Sequence, residues 1–158
     1  MAAIGEVDEA NSAIGVALLH VAEESHRTML RRIQNELFDL GADFATPGED
    51  FTPSEMVLRI TADQVARLER EIDQMNEALE PLRSFILPGG GGGAGYTHLA
   101  RATVRRAERV AVAAAAKVGL NPQALAYINR LSDHLFVLAR LIASAEGGDI
   151  LWKPGATR

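Results

Sequence analysis

Phe85-Ile-Leu-Pro-Gly-Gly-Gly-Gly-Gly93 runs into a stretch containing His98, Arg101, Arg105, Arg106, Glu108 and Arg109; Tyr127-Ile-Asn-Arg-Leu-Ser-Asp133 and Phe136 to Arg140 follow. A helix turns about 100° per residue, so His98, Arg101, Arg105 and Glu108 fall within roughly 80° of arc. Asn129, Asp133, Phe136 and Arg140 share a similar stripe on the next helix. These stripes interrupt helices otherwise rich in Ala, Val and Leu. Two long helices, each with one polar seam, predict an all-α protein whose seams meet a ligand or a partner.

Outward from there, three more helices complete a five-helix bundle. The first is expected from about Glu6 to Glu23, with Ile14, Ala17, Leu18 and Val21 at helical spacing. Glu6, Asp8 and Glu9 would favour its N-terminal end. The second runs from about Ser25 to Asp43 and presents Leu30, Ile33, Leu37 and Leu40. A loop containing Pro47 and Pro53 separates it from a third that starts near Thr61, where Thr61 and Gln64 fit a capping box. That helix turns Val65, Leu68, Ile72, Met75 and Leu79 inward. The fourth spans about Ala94 to Lys117, and the fifth runs from Pro122 to about Glu146, where Gly147 and Gly148 stop it. Short connections imply antiparallel neighbours.

Composition narrows the function classes. The 158 residues are 47% hydrophobic and only 5% aromatic, enough for the core of one domain spanning 1–158 and poor material for a β-sandwich. The net charge of −5 argues against a nucleic-acid or membrane-surface binder. With no cysteine there is no disulfide, thiolate metal site or thiol nucleophile. The four histidines form no metal pattern. Met1 to Asp8 is acidic and lacks the basic start of a signal peptide, so the cytoplasm is the expected compartment.

Each candidate site has two readings at this level. The glycine run is either a flexible linker or a loop that brings the next helix's N-terminus to an anion. Arg101, Arg105 and Glu108 either pair along an exposed helix or hold a carboxylate or phosphate. Arg106 and Arg109, rotated off the stripe, suit surface pairing. Asp8 shares a face with Ser12 and, if buried, calls for an arginine of the fourth helix, within the chain or across an interface. Asn129 and Asp133 suit a core network equally well, and Asn129 also suits a purine edge or a phosphate oxygen. His26 is expected at the surface, and His98 in helix packing, its place beside Arg101 leaving a ligand role as the alternative.

Five segments in register carry a resemblance: Gly5-Glu-Val-Asp-Glu-Ala-Asn-Ser12, Phe85-Ile-Leu-Pro-Gly-Gly90, His98-Leu-Ala-Arg101, Arg105-Arg-Ala-Glu-Arg109 and Asn129-Arg-Leu-Ser-Asp133. Together they resemble the PduO-type ATP:corrinoid adenosyltransferases. The resemblance implies a five-helix bundle assembled as a homotrimer with active sites between subunits. It implies transfer of the 5′-deoxyadenosyl group of ATP to cob(I)alamin, with Mg²⁺ accompanying the triphosphate. On this chain it would make Arg105, Glu108 and Asn129 the ATP contacts. Asp8 and Arg101 would be an ion pair across the interface near the corrin, and Phe85 the aromatic that displaces the corrinoid's lower axial ligand. A corrinoid reductase and an adenosylcobalamin-dependent enzyme would be its partners in metabolism. Family members also carry a Thr-Gly-Asp-x-Gly-x-Thr loop around the triphosphate, and this chain begins just past that segment. The alternative function is therefore a helical bundle that binds or delivers corrinoid without catalysis. Five glycines stand where two are typical, which predicts a looser placement of Phe85.

Overall fold

A computed structural model describes residues 1–157. Five helices form in order: α1 (Ala2–Leu18), α2 (Glu24–Ala45), α3 (Ala62–Glu77), α4 (Gly92–Ala115) and α5 (Pro122–Ser144). The expected all-α bundle is what forms, and β-structure among the described residues is confined to isolated bridges at Ser54–Val57 and Ile86–Leu151. α4 packs against both α1 and α5, α5 also covers α3, and α1 also packs on α2. The inner face of α4 is made of Ala94, Ala100, Val104, Ala107 and Ala111, all buried. Small side chains there let α1 and α5 approach closely, because interhelical distance follows the side chains at the contact. Larger residues fill the rest of the core: Leu30, Ile33, Leu37 and Leu40 from α2, Leu68 from α3, and Leu131, Leu135 and Leu138 from α5. No helix among the described residues is long and apolar enough to cross a membrane.

The helix ends differ from the sequence expectation where side chains compete for the backbone. α1 starts at Ala2 rather than Glu6 and ends at Leu18 rather than Glu23. Arg27 explains the early stop: its guanidinium donates to the carbonyls of Leu18 (2.7 Å) and Val21 (3.2 Å), holding a tight link into α2. With the earlier start, Glu6, Asp8 and Glu9 lie beyond the first turn, which contains no acidic residue. Arg106 of α4 instead meets Glu6 (2.5 Å) and Glu9. It is thus an inter-helix tie rather than a residue paired along its own helix. α4 begins two residues earlier than expected, so Gly92 and Gly93 are helical. At Gly93 a Cβ would lie 2.9 Å from the carbonyl oxygen of His20, so the close contact of α4 with the end of α1 requires glycine. The capping box at Thr61 forms, with the Thr61 N–H donating to Gln64 Oε1 at 2.9 Å. At the start of α5, Asn121 caps Gln123 (2.9 Å) ahead of Pro122.

Two buried polar networks hold the helices in register. Asp43, at the end of α2, accepts from Arg59 (2.7 Å), Asn121 (2.7 Å) and the Ile60 N–H (2.8 Å), which fixes the loop between α2 and α3 to the cap of α5. On the α2–α3–α5 side, Glu71 is gripped by Arg32, with one contact at 2.8 Å, and lies 2.8 Å from His134 Nε2. Glu36 accepts from the Tyr127 hydroxyl (2.7 Å) and from Arg67 (3.1 Å), and lies 3.4 Å from Arg32. Burial pushes the Glu71 carboxyl up, but hydrogen bonds from Arg32 and His134 outweigh it and bring its pKa down to about 2. Burial, with the Glu36 carboxylate beside it, holds the Tyr127 phenol well above its ordinary value.

Candidate functional site

The segment before α4 is held by the chain's own tail. After α5, Gly147 and Gly148 take positive φ (111° and 92°) and turn the backbone back over the bundle. Residues 149–152 then run against 84–87: the Leu87 N–H donates to Ile150 O (2.7 Å), and the Trp152 N–H to Phe85 O (2.8 Å). Ser84 Oγ donates to Trp152 O at 3.1 Å. Arg140, buried on α5, anchors the tail strip through Asp149 (2.9 Å) and the segment leading into the other through the Glu80 carbonyl (2.8 Å). The polar stripe of α5 therefore ends on a structural clamp. Phe85 is backbone-paired on this platform, and its ring meets Trp152 edge-on at 5.9 Å. Two of the five glycines are helical, and the tail pairs with the backbone of residues 85 and 87.

Phe85 remains 77% exposed. Its ring rims a cavity of about 560 Å³ whose other walls include Ile86, Pro88, His98, Arg101 and Phe136. Arg101 stands over the Phe136 ring, 5.8 Å from its centroid, and His98 meets the same ring edge-on at 6.1 Å. Both polar residues carry a buried nitrogen with no hydrogen-bond partner, Arg101 Nε and His98 Nδ1. Burial first and the neighbouring Arg101 second lower the His98 pKa, while Asp149 acts weakly in the opposite direction. This is a mostly apolar chamber with a cation and a neutral imidazole in its wall.

One to two turns further along α4 the character changes. Arg105 donates to Glu108 (2.5 Å), and Asn129 of α5 donates to the other Glu108 oxygen (2.6 Å). Arg130 continues the chain, donating to Asn129 Oδ1 (2.6 Å) and pairing with Asp133 (3.0 Å). The resemblance singled out Arg105, Glu108 and Asn129 as a set, where helical spacing had left each with a structural reading as well, and the fold brings all three together. Glu108 is only 13% exposed in its side chain, whereas Arg105 reaches outward at 47%.

Asp8 falls elsewhere. It is exposed on α1 of the single chain, because the helix turns Val7 and Asn11 inward, so no arginine of the same chain pairs with it. It lines a separate groove of about 630 Å³ with Ile4, Val7, Leu37 and Phe38, and the Phe38 ring there is 70% exposed. Among the described residues, neither Asp8 nor Arg101 has an ion-pair partner, and the two line different cavities. His98 is in helix packing as expected, while His26 is half-buried rather than fully at the surface. The tail clamp and the Glu71–His134 network were missed. A lone tryptophan just after a glycine pair was the one signal for the tail.

Comparison with known proteins places this geometry. The family model described as cobalamin adenosyltransferase matches residues 1–142. The corrinoid adenosyltransferase of Mycobacterium tuberculosis is 45% identical over 161 residues, spanning 100% of this chain and 82% of that one. The corrinoid adenosyltransferase PduO of Salmonella typhimurium is 41% identical over 138 residues, covering 87% of this chain and 40% of its own length. Among solved structures, a variant PduO-type ATP:corrinoid adenosyltransferase from Lactobacillus reuteri complexed with cobalamin and ATP superposes with a TM-score of 0.88. It is 36% identical, and the match covers 97% of this chain and 83% of that one. With the family model matching most of its length, and relatives this similar across it, the chain belongs to the cobalamin adenosyltransferase family.

Proposed function

We infer that this chain transfers the 5′-deoxyadenosyl group of ATP to cob(I)alamin, giving adenosylcobalamin and releasing triphosphate. One observation carries the assignment of its site: along a single helix, an apolar chamber suited to a flat macrocycle adjoins a charged cluster suited to a nucleotide. Phe85, Phe136 and Arg101 belong to the first, and Arg105, Glu108 and Asn129 to the second.

The chemistry asks little of the side chains as reagents. Co(I) brings the electron pair that forms the cobalt–carbon bond at the 5′ carbon of ATP. The carbon–oxygen bond breaks, and its electrons leave with triphosphate. The protein's share is position and charge. Arg105 meets negative charge on the nucleotide, while Glu108, beside it on α4, and Asn129 from α5 fix its orientation. Phe85 lies against the lower face of the corrin, where its ring takes the place of an axial donor and keeps water away. Loss of that donor makes reduction to Co(I) easier. Mg²⁺ travels with the triphosphate, since it is characteristically held by substrate phosphates, water and at most one or two carboxylates. Among the described residues, no group of three or more His, Asp or Glu is arranged to hold a metal.

The site is completed by a second copy in a homotrimer. Exposed Asp8 lacks a partner, Arg101 lacks one in the chamber, and Phe38 exposes a ring beside Asp8; docking Asp8 of the partner subunit onto Arg101 satisfies all three. The oxygen-sensitive Co(I) state and the need for ATP fit a reducing cytoplasm. A corrinoid reductase would supply one substrate, and an adenosylcobalamin-dependent enzyme would take the product.

The test is an anaerobic mixture of this chain with ATP, Mg²⁺ and chemically reduced cobalamin, followed in the visible spectrum. Adenosylcobalamin is expected; corrinoid that binds and is never adenosylated would favour delivery over catalysis. Asp8→Asn should lower kcat/KM for cobalamin about 30-fold, an effect of about 2 kcal/mol for truncating one partner of a desolvated charge pair. The KM for ATP should hold. An unchanged rate would remove the proposed pair with Arg101.

A further inference from the structure

His98 is only 3% exposed, yet it forms part of the wall of the Phe85 chamber. Its Nδ1 is buried without a hydrogen-bond partner, and among the described residues Nε2 carries no hydrogen bond either. Buried polar side chains are nearly always paired, and an imidazole in a cavity wall that makes no hydrogen bond within the protein has its outward edge open to a partner carried by a ligand. Nδ1 is sealed inside the bundle, which leaves the Nε2 edge as the one the ring presents to the chamber. An orphaned N–H is rarer than an orphaned acceptor in a protein interior. The favoured tautomer therefore leaves Nδ1 bare and puts the proton on Nε2.

The surroundings restrict what such a donor can meet. Arg101 follows one turn later on the same helix, and Arg140 of α5 holds Asp149 of the tail at 2.9 Å. Burial and Arg101 together keep the imidazole neutral. An N–H of this kind takes any acceptor, and in an apolar chamber an uncharged one costs least to bury. The nucleotide cluster at Arg105 and Glu108 begins two turns further on, a rise of about 10 Å along the helix, so the ligand here is the macrocycle. The edge of a corrin ring bears primary amides, whose carbonyl oxygens are acceptors of this kind.

We propose that His98 is a corrinoid-contacting residue, its Nε2–H donating to the carbonyl of a peripheral amide and fixing the rotation of the corrin ring above Phe85. This rests on the assignment of the chamber to the corrinoid. Without the contact, the amide is desolvated against Phe136 and left unpaired.

The experiment is a spectral titration of cob(II)alamin into the ATP-bound protein, on wild type, His98→Leu and His98→Gln, with KM values for ATP and cobalamin alongside. His98→Leu should raise the Kd and KM for cobalamin about tenfold, as loss of a hydrogen bond that strands its partner would do, with the KM for ATP unmoved. His98→Gln, which keeps an N–H donor, should recover most of the affinity, and this separates a contact from mere packing. Equal cobalamin affinity in the Leu variant and wild type, or failure of Gln to recover any, would overturn the proposal. Wild type that binds no cobalamin would instead remove the chamber assignment beneath it.

Discussion

Phe85→Ala should lower the rate of adenosylation from cob(II)alamin, with a reductant in the assay, about a hundredfold, and should cost much less with pre-reduced cob(I)alamin. A hundredfold is about 2.7 kcal/mol of barrier, comparable with the cost of truncating a large packed aromatic. The asymmetry follows from the role inferred for the ring. Cob(II)alamin retains an axial donor that must leave before the electron enters, and a bulky apolar side chain against that face favours the state without it. Once cobalt is Co(I) the donor is already gone, so the ring has less to do. Phe85 suits the task because it is 77% exposed while its backbone is pinned by the tail. Its side chain is open to a ligand while its backbone is tied to the tail. Anaerobic kinetics on the two cobalt states decide the matter, and equal losses in both would dismiss the axial role. Thermal unfolding should show little change, because an exposed side chain contributes little to the core.

What was legible in the sequence is what helical spacing carries. Arg105 and Glu108 are three apart on one helix and meet as an i,i+3 pair, and Asn129 joins them because α5 packs directly on α4. Helical periodicity carries that information. It carries none about where the chain goes after Gly148, since residues 149–152 are fixed by backbone hydrogen bonds to 85–87 and by the Arg140–Asp149 pair. Arg140 accordingly read as part of a ligand stripe when it is a clamp. Asp8 shows the complementary difficulty. Its position on α1 was readable, but not that Val7 and Asn11 would take the inward positions and leave it exposed. Helix starts are poorly marked when no Ser, Thr, Asp or Asn caps them, and here Met1 holds that position without a side-chain hydrogen bond. The buried charges of α2 and α3 were hidden for a different reason: Arg32, Glu36 and Glu71 look like surface residues until α5 covers them.

Glu71→Leu should destabilise the fold by about 3 kcal/mol at pH 7 and lower the melting temperature by about 10 °C, since removing one member of a buried ionic group strands the others. Among the described residues, Arg32 would keep only the 3.4 Å contact with Glu36, and His134, fully buried, would lose its one side-chain hydrogen bond. The pH dependence gives an independent check. The Glu71 carboxyl has a folded-state pKa of about 2 against an ordinary 4.5. A depressed carboxyl pKa stabilises the folded state above its unfolded value, and that contribution disappears as pH falls through the folded one. The whole contribution, about 3 kcal/mol, is therefore present at neutral pH and fades between about pH 4.5 and 2. Urea unfolding of wild type and variant across that window should show the gap between them closing with acid. A gap that stays constant would mean Glu71 acts through packing alone, and no gap at pH 7 would mean the network adds nothing to stability. The location matters for the enzyme, because the α5 helix that carries His134 also carries Asn129 and Phe136 towards α4. Loosening α3 from α5 would let that helix shift, so the variant's KM for ATP should rise at temperatures where wild type is unaffected, before global unfolding sets in.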